Sequence, residues 1–97
     1  MYQVRFMPRA ERYIKKLKER NLKEKIKNAI YEIQKDPYIG KLKKRDLSTI
    51  YGFDVFYHKT NYEISYQVYS KKQIIVIILI GTRENFYQEL KNYLSNN

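Results

Sequence analysis

The sequence predicts an α+β domain in which a small, twisted, mainly antiparallel four-stranded sheet carries a helical hairpin on one face, with a further helix at the C-terminus. Ile74–Ile80 is an unbroken apolar run rich in β-branched residues, which is typical of a strand covered on both faces. Residues 62–69 alternate between apolar and polar side chains, as a half-buried strand does. Residues 22–33 repeat apolar side chains at helical spacing. The predicted order is β-α-α-β-β-β-α.

The N-terminal third predicts one strand and two helices. Tyr2–Phe6 alternates with a period of two, and Pro8 then suits the first turn of a helix, where its missing N–H costs nothing. Residues 9–20 place their apolar side chains on one face, and we expect a break near Arg20–Asn21. The second helix should stop at Asp36–Pro37, because the residue before proline is driven out of the helical region.

Residues 37–48 predict a loop, with a short edge strand within it as an alternative. Leu42 and Leu47 should anchor this loop to the core. Four cations cluster within it: Lys41, Lys43, Lys44 and Arg45.

Residues 51–58 and 62–69 predict an antiparallel hairpin, and a short turn then leads into the apolar strand. A two-residue turn at Thr60–Asn61 would bring the apolar positions of both strands to the core face. That register pairs His58 with Glu63 on the polar outer face.

The C-terminal segment predicts a strand that delivers an arginine to the edge of the sheet and a helix that follows it. Arg83 comes two residues after Gly81, where the apolar run ends. We expect Thr82 to cap the helix and Glu84 to lie in its first turn. The apolar stripe of this helix comprises Phe86, Leu90, Tyr93 and Leu94. Tyr87 lies off the stripe, one helical turn from Arg83.

Length and charge limit the classes of function. Residues 1–97 suit a single domain with one modest core, and no apolar run is long enough to span a membrane. The chain has no cysteine, which excludes disulfides and thiolate metal sites, and no secretory leader, so we expect a cytoplasmic protein. The net charge of +10, with eleven tyrosines, favours a polyanion such as RNA or an acidic protein partner. Nothing in the spacing indicates a metal cluster, a phosphate-binding glycine loop or a serine or cysteine triad.

Three segments together resemble the RelE/ParE superfamily of bacterial toxins: the loop DPYIGKLKKRDL, the hairpin GFDVFYHKTNYEISYQV and the strand end GTRENFY. The similarity covers nearly the whole chain in order and spacing. It implies a RelE-like fold and the toxin half of a type II toxin–antitoxin pair. In the RelE-like branch such toxins cleave mRNA without a metal or other cofactor, usually in the ribosomal decoding site, whereas the ParE-like branch poisons DNA gyrase.

The resemblance also implies site residues and partners. Arg83 matches the arginine at the end of the last strand, and Tyr87 matches a C-terminal tyrosine of the RelE-like site. The RNA-binding positions fall on the loop cations Lys41, Lys43, Lys44 and Arg45. The implied partners are a cognate antitoxin, acidic where it covers the basic face, and mRNA on the ribosome.

The chain departs from the RelE-like pattern on its outer face. Glu63 stands where that branch often has an arginine, and the preceding strand presents Asp54, Phe56 and His58 where arginines are common. Either this member uses another acid–base set, or its nuclease activity is weak or absent.

Metal-free RNA cleavage needs a base for the ribose 2′-OH, an acid for the 5′-oxygen and a cation for the phosphorane. Arg83 can supply the cation, since guanidinium matches phosphate oxygens, or it can simply cap the sheet edge or pair with Glu84. His58, the only histidine, is a candidate acid or base, and Glu63, beside it in the predicted register, is a second catalytic candidate that can orient His58 or itself serve as the base. The alternative is an ordinary cross-strand pair near a turn. Tyr87 can stack on a base or pack on the sheet.

Three functions follow from these alternatives. The first is a ribosome-dependent mRNA endoribonuclease that acts by 2′-OH transesterification and inhibits translation. The second is a gyrase inhibitor of the ParE type, which performs no chemistry of its own. The third is a catalytically degenerate member that only binds antitoxin or RNA.

Overall fold

Five strands and three helices make up the part of the chain that the computed structural model describes, residues 1–43, 47 and 49–95. In chain order they are β1 (Gln3–Phe6), α1 (Pro8–Lys16), α2 (Arg20–Lys35), β2 (Lys41–Leu42), β3 (Tyr51–Tyr57), β4 (Thr60–Tyr69), β5 (Ile74–Thr82) and α3 (Phe86–Ser95). No helix among these residues has the length and hydrophobicity to cross a bilayer.

The strands form one mixed sheet in the order β1-β5-β4-β3-β2. β1 lies parallel beside β5, and the remaining neighbours are antiparallel. The sheet has one strand more than the four predicted, because Lys41 and Leu42 pair with Gly52 and Tyr51 at the edge. The α+β class is confirmed, and apart from the added edge strand the elements follow the predicted order.

Each face of the sheet has its own core. The first face packs against α1 and α2, and its buried residues include Ile26, Ile33, Ile64 and Ile77. The second face packs against α3, whose Phe86 and Leu90 cover Ile78 and Leu79 of β5. β5 therefore contributes to both cores, which confirms that its unbroken apolar run reflects cover on both faces.

β5 contains a β-bulge, which changes the face to which its side chains point. Ser65 pairs with Leu79 and Tyr66 with Ile77, so Ile78 is the extra residue. Ile78 and Leu79 consequently face the same core although they are adjacent, which a regular strand does not allow.

Two helix boundaries differ from the predictions. α1 ends at Lys16 and not near Arg20, since Leu17 takes an extended backbone and packs its side chain against the first core. The predicted cap at Thr82 is wrong, because Thr82 pairs with Tyr62 and still belongs to β5. α3 begins only at Phe86.

The hairpin turn lies two residues earlier than predicted. Tyr57 pairs with Thr60, so the two-residue turn is His58–Lys59, and both residues have positive φ angles of 46° and 65°. The register differs from the predicted one by four residues, an even number, so the predicted core faces of β3 and β4 are confirmed. The predicted pairing of His58 with Glu63 is wrong, and Glu63 instead lies opposite Asp54.

Candidate functional site

An open cleft lies on the second face of the sheet, where α3 leaves β3 and β4 uncovered. Its volume is about 440 Å³. The lining residues come from β2 and its flank, β3, β4, the end of β5 and the first turn of α3: Lys41, Leu42, Lys43, Gly52, Asp54, Glu63, Arg83 and Tyr87.

Arg83 enters the cleft directly from the end of β5. Its backbone N–H donates to the carbonyl oxygen of Asn61 at 2.8 Å, which continues the sheet by one further residue. Its Nη1 donates to Asp54 Oδ2 at 3.0 Å, and its Nε lies 3.7 Å from Glu63 Oε1. The side chain is 58% exposed, so the guanidinium is held in place and remains open to solvent.

Glu63 forms the floor of the cleft and is only 2% exposed. A buried carboxylate is costly unless it is paired, and Glu63 has two cationic partners. The Lys43 ammonium contacts its Oε2, and Arg83 lies on the side of Oε1. Lys43 also lies 5.6 Å from the centroid of the Phe86 ring, which further fixes its position.

Gly52 creates the space for this ion pair. A Cβ at Gly52 would overlap Glu63 Oε2 and would lie 3.0 Å from Lys43 Cε. The backbone of Gly52 has no positive φ, so the requirement for glycine is one of space and not of conformation.

Tyr66 anchors the segment that leads into β2. Its hydroxyl donates to the Pro37 carbonyl oxygen at 2.9 Å and accepts from the Gly40 N–H at 3.0 Å. The side chain is fully buried, and that burial raises the pKa of Tyr66 to about 12. β2 begins at Lys41, directly after Gly40. The hydrogen bonds of the Tyr66 hydroxyl therefore fix the start of β2 and with it the positions at which Lys41 and Lys43 line the cleft.

The structure brings together most of the residues that the sequence nominated. Lys41, Lys43, Glu63, Arg83 and Tyr87 all line the cleft, and Tyr87 is 37% exposed. The cleft thus combines cations, carboxylates and one aromatic ring within reach of a phosphodiester. In the described ranges, no three His, Cys, Asp or Glu side chains converge as a metal site would require.

The structure places one nominated residue away from this cleft and does not describe two others. Lys44 and Arg45 lie outside the described residues. His58 occupies the hairpin tip and stacks on Tyr57 at 4.1 Å between ring centroids. It follows Tyr57, the last residue of β3, which lies three residues and about 10 Å beyond Asp54 at the rise of a strand.

Sequence reasoning did not nominate Asp54 or Gly52 for the site. The sequence predicts Asp54 on the outer face of the sheet. It does not predict that Asp54 lies opposite Glu63, because the predicted register pairs Glu63 with His58. Gly52 gives a weak signal in the sequence, a glycine inside a strand, which often marks a close approach of other atoms.

Comparisons with known proteins agree with this fold. Residues 4–91 match a family model described as the ParE-like toxin of type II bacterial toxin–antitoxin systems. The toxin–antitoxin complex RelBE2 of Mycobacterium tuberculosis matches at 28% identity, with a TM-score of 0.64, and covers 84% of this chain and 98% of the matched chain. The intact RelBE complex of E. coli matches at 26% identity, with a TM-score of 0.70, and covers 84% and 95%.

The isolated E. coli RelE toxin matches at 24% identity, with a TM-score of 0.70, over 97% of this chain and 99% of that chain, and supports the fold alone. Comparison with curated protein sequences finds no match. Since the family model covers most of the sequence and the element order is that of RelE, the chain belongs to the ParE-like toxins of type II bacterial toxin–antitoxin systems and has a RelE-like fold.

Proposed function

We propose that this toxin is a metal-independent endoribonuclease that cleaves mRNA on the ribosome and thereby inhibits translation. The observation that carries the proposal is the contact of Glu63 with both Lys43 and Arg83 on the floor of a solvent-open cleft. This arrangement supplies a proton acceptor, a proton donor and a cation within one small volume. The arginine common at this position in the RelE-like branch is thus replaced by a different acid–base set.

The proposed reaction uses the Lys43–Glu63 pair for both proton transfers. Glu63 accepts the proton of the ribose 2′-OH, and the 2′-oxygen forms a bond to the adjacent phosphorus. The bond from phosphorus to the 5′-oxygen breaks, and Lys43 gives a proton to that oxygen. The products are a 2′,3′-cyclic phosphate and a 5′-OH, and transfer of the proton from Glu63 to Lys43 restores the resting pair.

Arg83 stabilises the charge that develops on the phosphorane in this proposal. Its guanidinium is directed by Asp54, and its exposed edge can take phosphate oxygens. Lys41 adds positive charge at the rim, and Tyr87 offers a ring on which a base can stack.

The test is the cleavage of mRNA in purified translating ribosomes, with the new 5′ ends mapped. We expect cuts in the decoding site, and Arg83→Ala should lower the cleavage rate about 100- to 1,000-fold. Arg12→Ala removes the same charge from an exposed position on α1 and should leave the rate unchanged.

Other results would favour the alternatives. Uncut mRNA together with gyrase-linked double-strand breaks would identify a ParE-like gyrase inhibitor. Uncut mRNA without growth arrest would identify a degenerate member, in which Asp54 and Glu63 merely neutralise Arg83.

We also propose a cognate antitoxin as the physiological partner, in the cytoplasm. The support is the family and the two matched structures, which are toxin–antitoxin complexes. The net charge of +10 favours an acidic segment on that partner. Co-expression with the neighbouring reading frame should abolish growth arrest and yield a stable complex.

A further inference from the structure

Phe56 is the most exposed phenylalanine or tyrosine ring in the described part of the chain, at 63% exposure. It lies on the same face of β3 as Asp54, two residues further along, and therefore about 7 Å away. Phe56 is not among the residues that line the cleft. It lies beyond the cleft on the same face of the sheet, toward the turn of the β3–β4 hairpin.

Phe56 belongs to the same row of the sheet as Arg83. It pairs with Asn61 on β4, and the carbonyl oxygen of Asn61 accepts the Arg83 N–H at 2.8 Å. Two strand spacings separate the backbones of Phe56 and Arg83, about 10 Å. The Arg83 side chain crosses this gap to reach Asp54. The guanidinium therefore meets Asp54, whose backbone lies about 7 Å from that of Phe56 on the same face of β3, and Tyr87 lines the same cleft.

We propose that Phe56 is a base-stacking residue for single-stranded RNA. This inference rests on the proposed function: with a phosphate at Arg83, the base of a neighbouring nucleotide stacks on the Phe56 ring. A phenyl ring has no polar atom that needs a hydrogen-bond partner. In basic grooves, nucleic-acid bases stack on aromatic rings whatever the nucleotide sequence. Phosphate held by cations, with a flanking aromatic ring, is the combination that single-stranded nucleic acid requires.

The chain contains no tryptophan, so Phe56→Trp introduces a single tryptophan, whose emission reports on the stacking position. The probe is an eight-nucleotide 2′-O-methyl RNA of mixed sequence, which cannot be cleaved because it has no free 2′-OH. We expect this RNA to quench the emission of F56W at saturation. Phe56→Leu, which keeps an apolar side chain but has no ring, should bind the same RNA about 10- to 100-fold more weakly.

Tyr31→Trp is the matched control. Tyr31 is 50% exposed on α2, the layer on the other face of the sheet. Its emission should not respond to the RNA, and the affinity of this variant should equal that of the wild-type chain.

Three outcomes would overturn the inference: unchanged F56W emission at saturation, wild-type affinity of Phe56→Leu, or no binding of the probe by the wild-type chain. A loss of antitoxin binding by Phe56→Leu, with RNA binding intact, would instead assign the ring to the protein partner. Since the probe is never cut, these results are separate from the cleavage test. If mRNA cleavage depends on Arg83 but is unchanged by substitution of Phe56, the stacking site is contradicted and the proposed function is not.

Discussion

Asp54 and Glu63 lie directly opposite each other across β3 and β4, and the guanidinium of Arg83 contacts both carboxylates. Like charges at such positions repel each other, so the pair depends on its cations. Arg83 pairs with the exposed carboxylate of Asp54, and Lys43 pairs with the buried carboxylate of Glu63. The cleft is therefore one interdependent set of charges, and a change at one position should alter the others.

Glu63→Gln should separate catalysis from binding. The amide cannot accept the 2′-OH proton, so we expect mRNA cleavage to fall about 100-fold or more. Binding of the 2′-O-methyl RNA should be equal or tighter, because one negative charge leaves the cleft. Cleavage at the wild-type rate would remove Glu63 from the mechanism.

The same substitution should also lower stability. Lys43, whose side chain is 18% exposed, loses its ionised partner, and we expect a cost of about 1–3 kcal/mol in the free energy of unfolding. Asp54→Asn removes the same charge from a side chain that is 40% exposed and should cost less than about 1 kcal/mol. Urea denaturation of the two variants provides the comparison.

Gly52→Ala should disrupt the Lys43–Glu63 pair through sterics alone. The new methyl group would overlap the Glu63 carboxylate, so we expect a loss of about 1–3 kcal/mol and a large decrease in mRNA cleavage. Gly81→Ala is the matched control, since its nearest neighbour would be a Phe86 ring carbon at 3.7 Å, an ordinary contact. Equal stability of the two variants in thermal unfolding would contradict the proposed role of Gly52.

Tyr66→Phe should loosen the segment that carries β2. The substitution leaves the Pro37 carbonyl and the Gly40 N–H without their partner, at a cost of about 1–3 kcal/mol. Tyr69→Phe, on the same strand but exposed, should change stability by less than about 0.5 kcal/mol. Denaturation midpoints measure both effects.

The contribution of Tyr66 should disappear in alkali. Its pKa is about 12 in the folded chain against about 10 when unfolded, so only the unfolded state releases the proton between these values. The contribution is complete below pH 10 and declines as the pH rises toward 12. The stability difference between the wild-type chain and Tyr66→Phe should therefore be smaller at pH 11 than at pH 9. A constant difference would contradict this assignment.

Lys59→Gly should stabilise the hairpin. Lys59 has a φ angle of 65°, a region in which a side chain is strained and glycine is not. We expect a gain of about 0.5–1 kcal/mol in the free energy of unfolding. Lys59→Ala retains the Cβ and should show no such gain, so an equal gain in both variants would point to the charge instead.

The register of the β3–β4 hairpin shows how far the sequence could be interpreted. Alternation has a period of two, so it identifies which residues share a face but tolerates any even shift along the strand. The faces of Val55 and Ile64 were therefore predicted correctly, while the turn was misplaced. Positive φ angles at His58 and Lys59 were not foreseeable, because residues other than glycine seldom adopt that conformation.

By itself, the sequence determined the α+β class, the order of the elements, the strand covered on both faces and the candidates Arg83, Tyr87, Glu63 and the loop lysines. These follow from local periodicity and from a resemblance spread along the chain. Only the tertiary structure decided that Asp54 opposes Glu63, that Lys43 reaches Glu63 across Gly52, and that His58 lies far from both. Such contacts join residues distant in the chain, and their geometry depends on strand pairing and on the space left by neighbours, which no local pattern encodes.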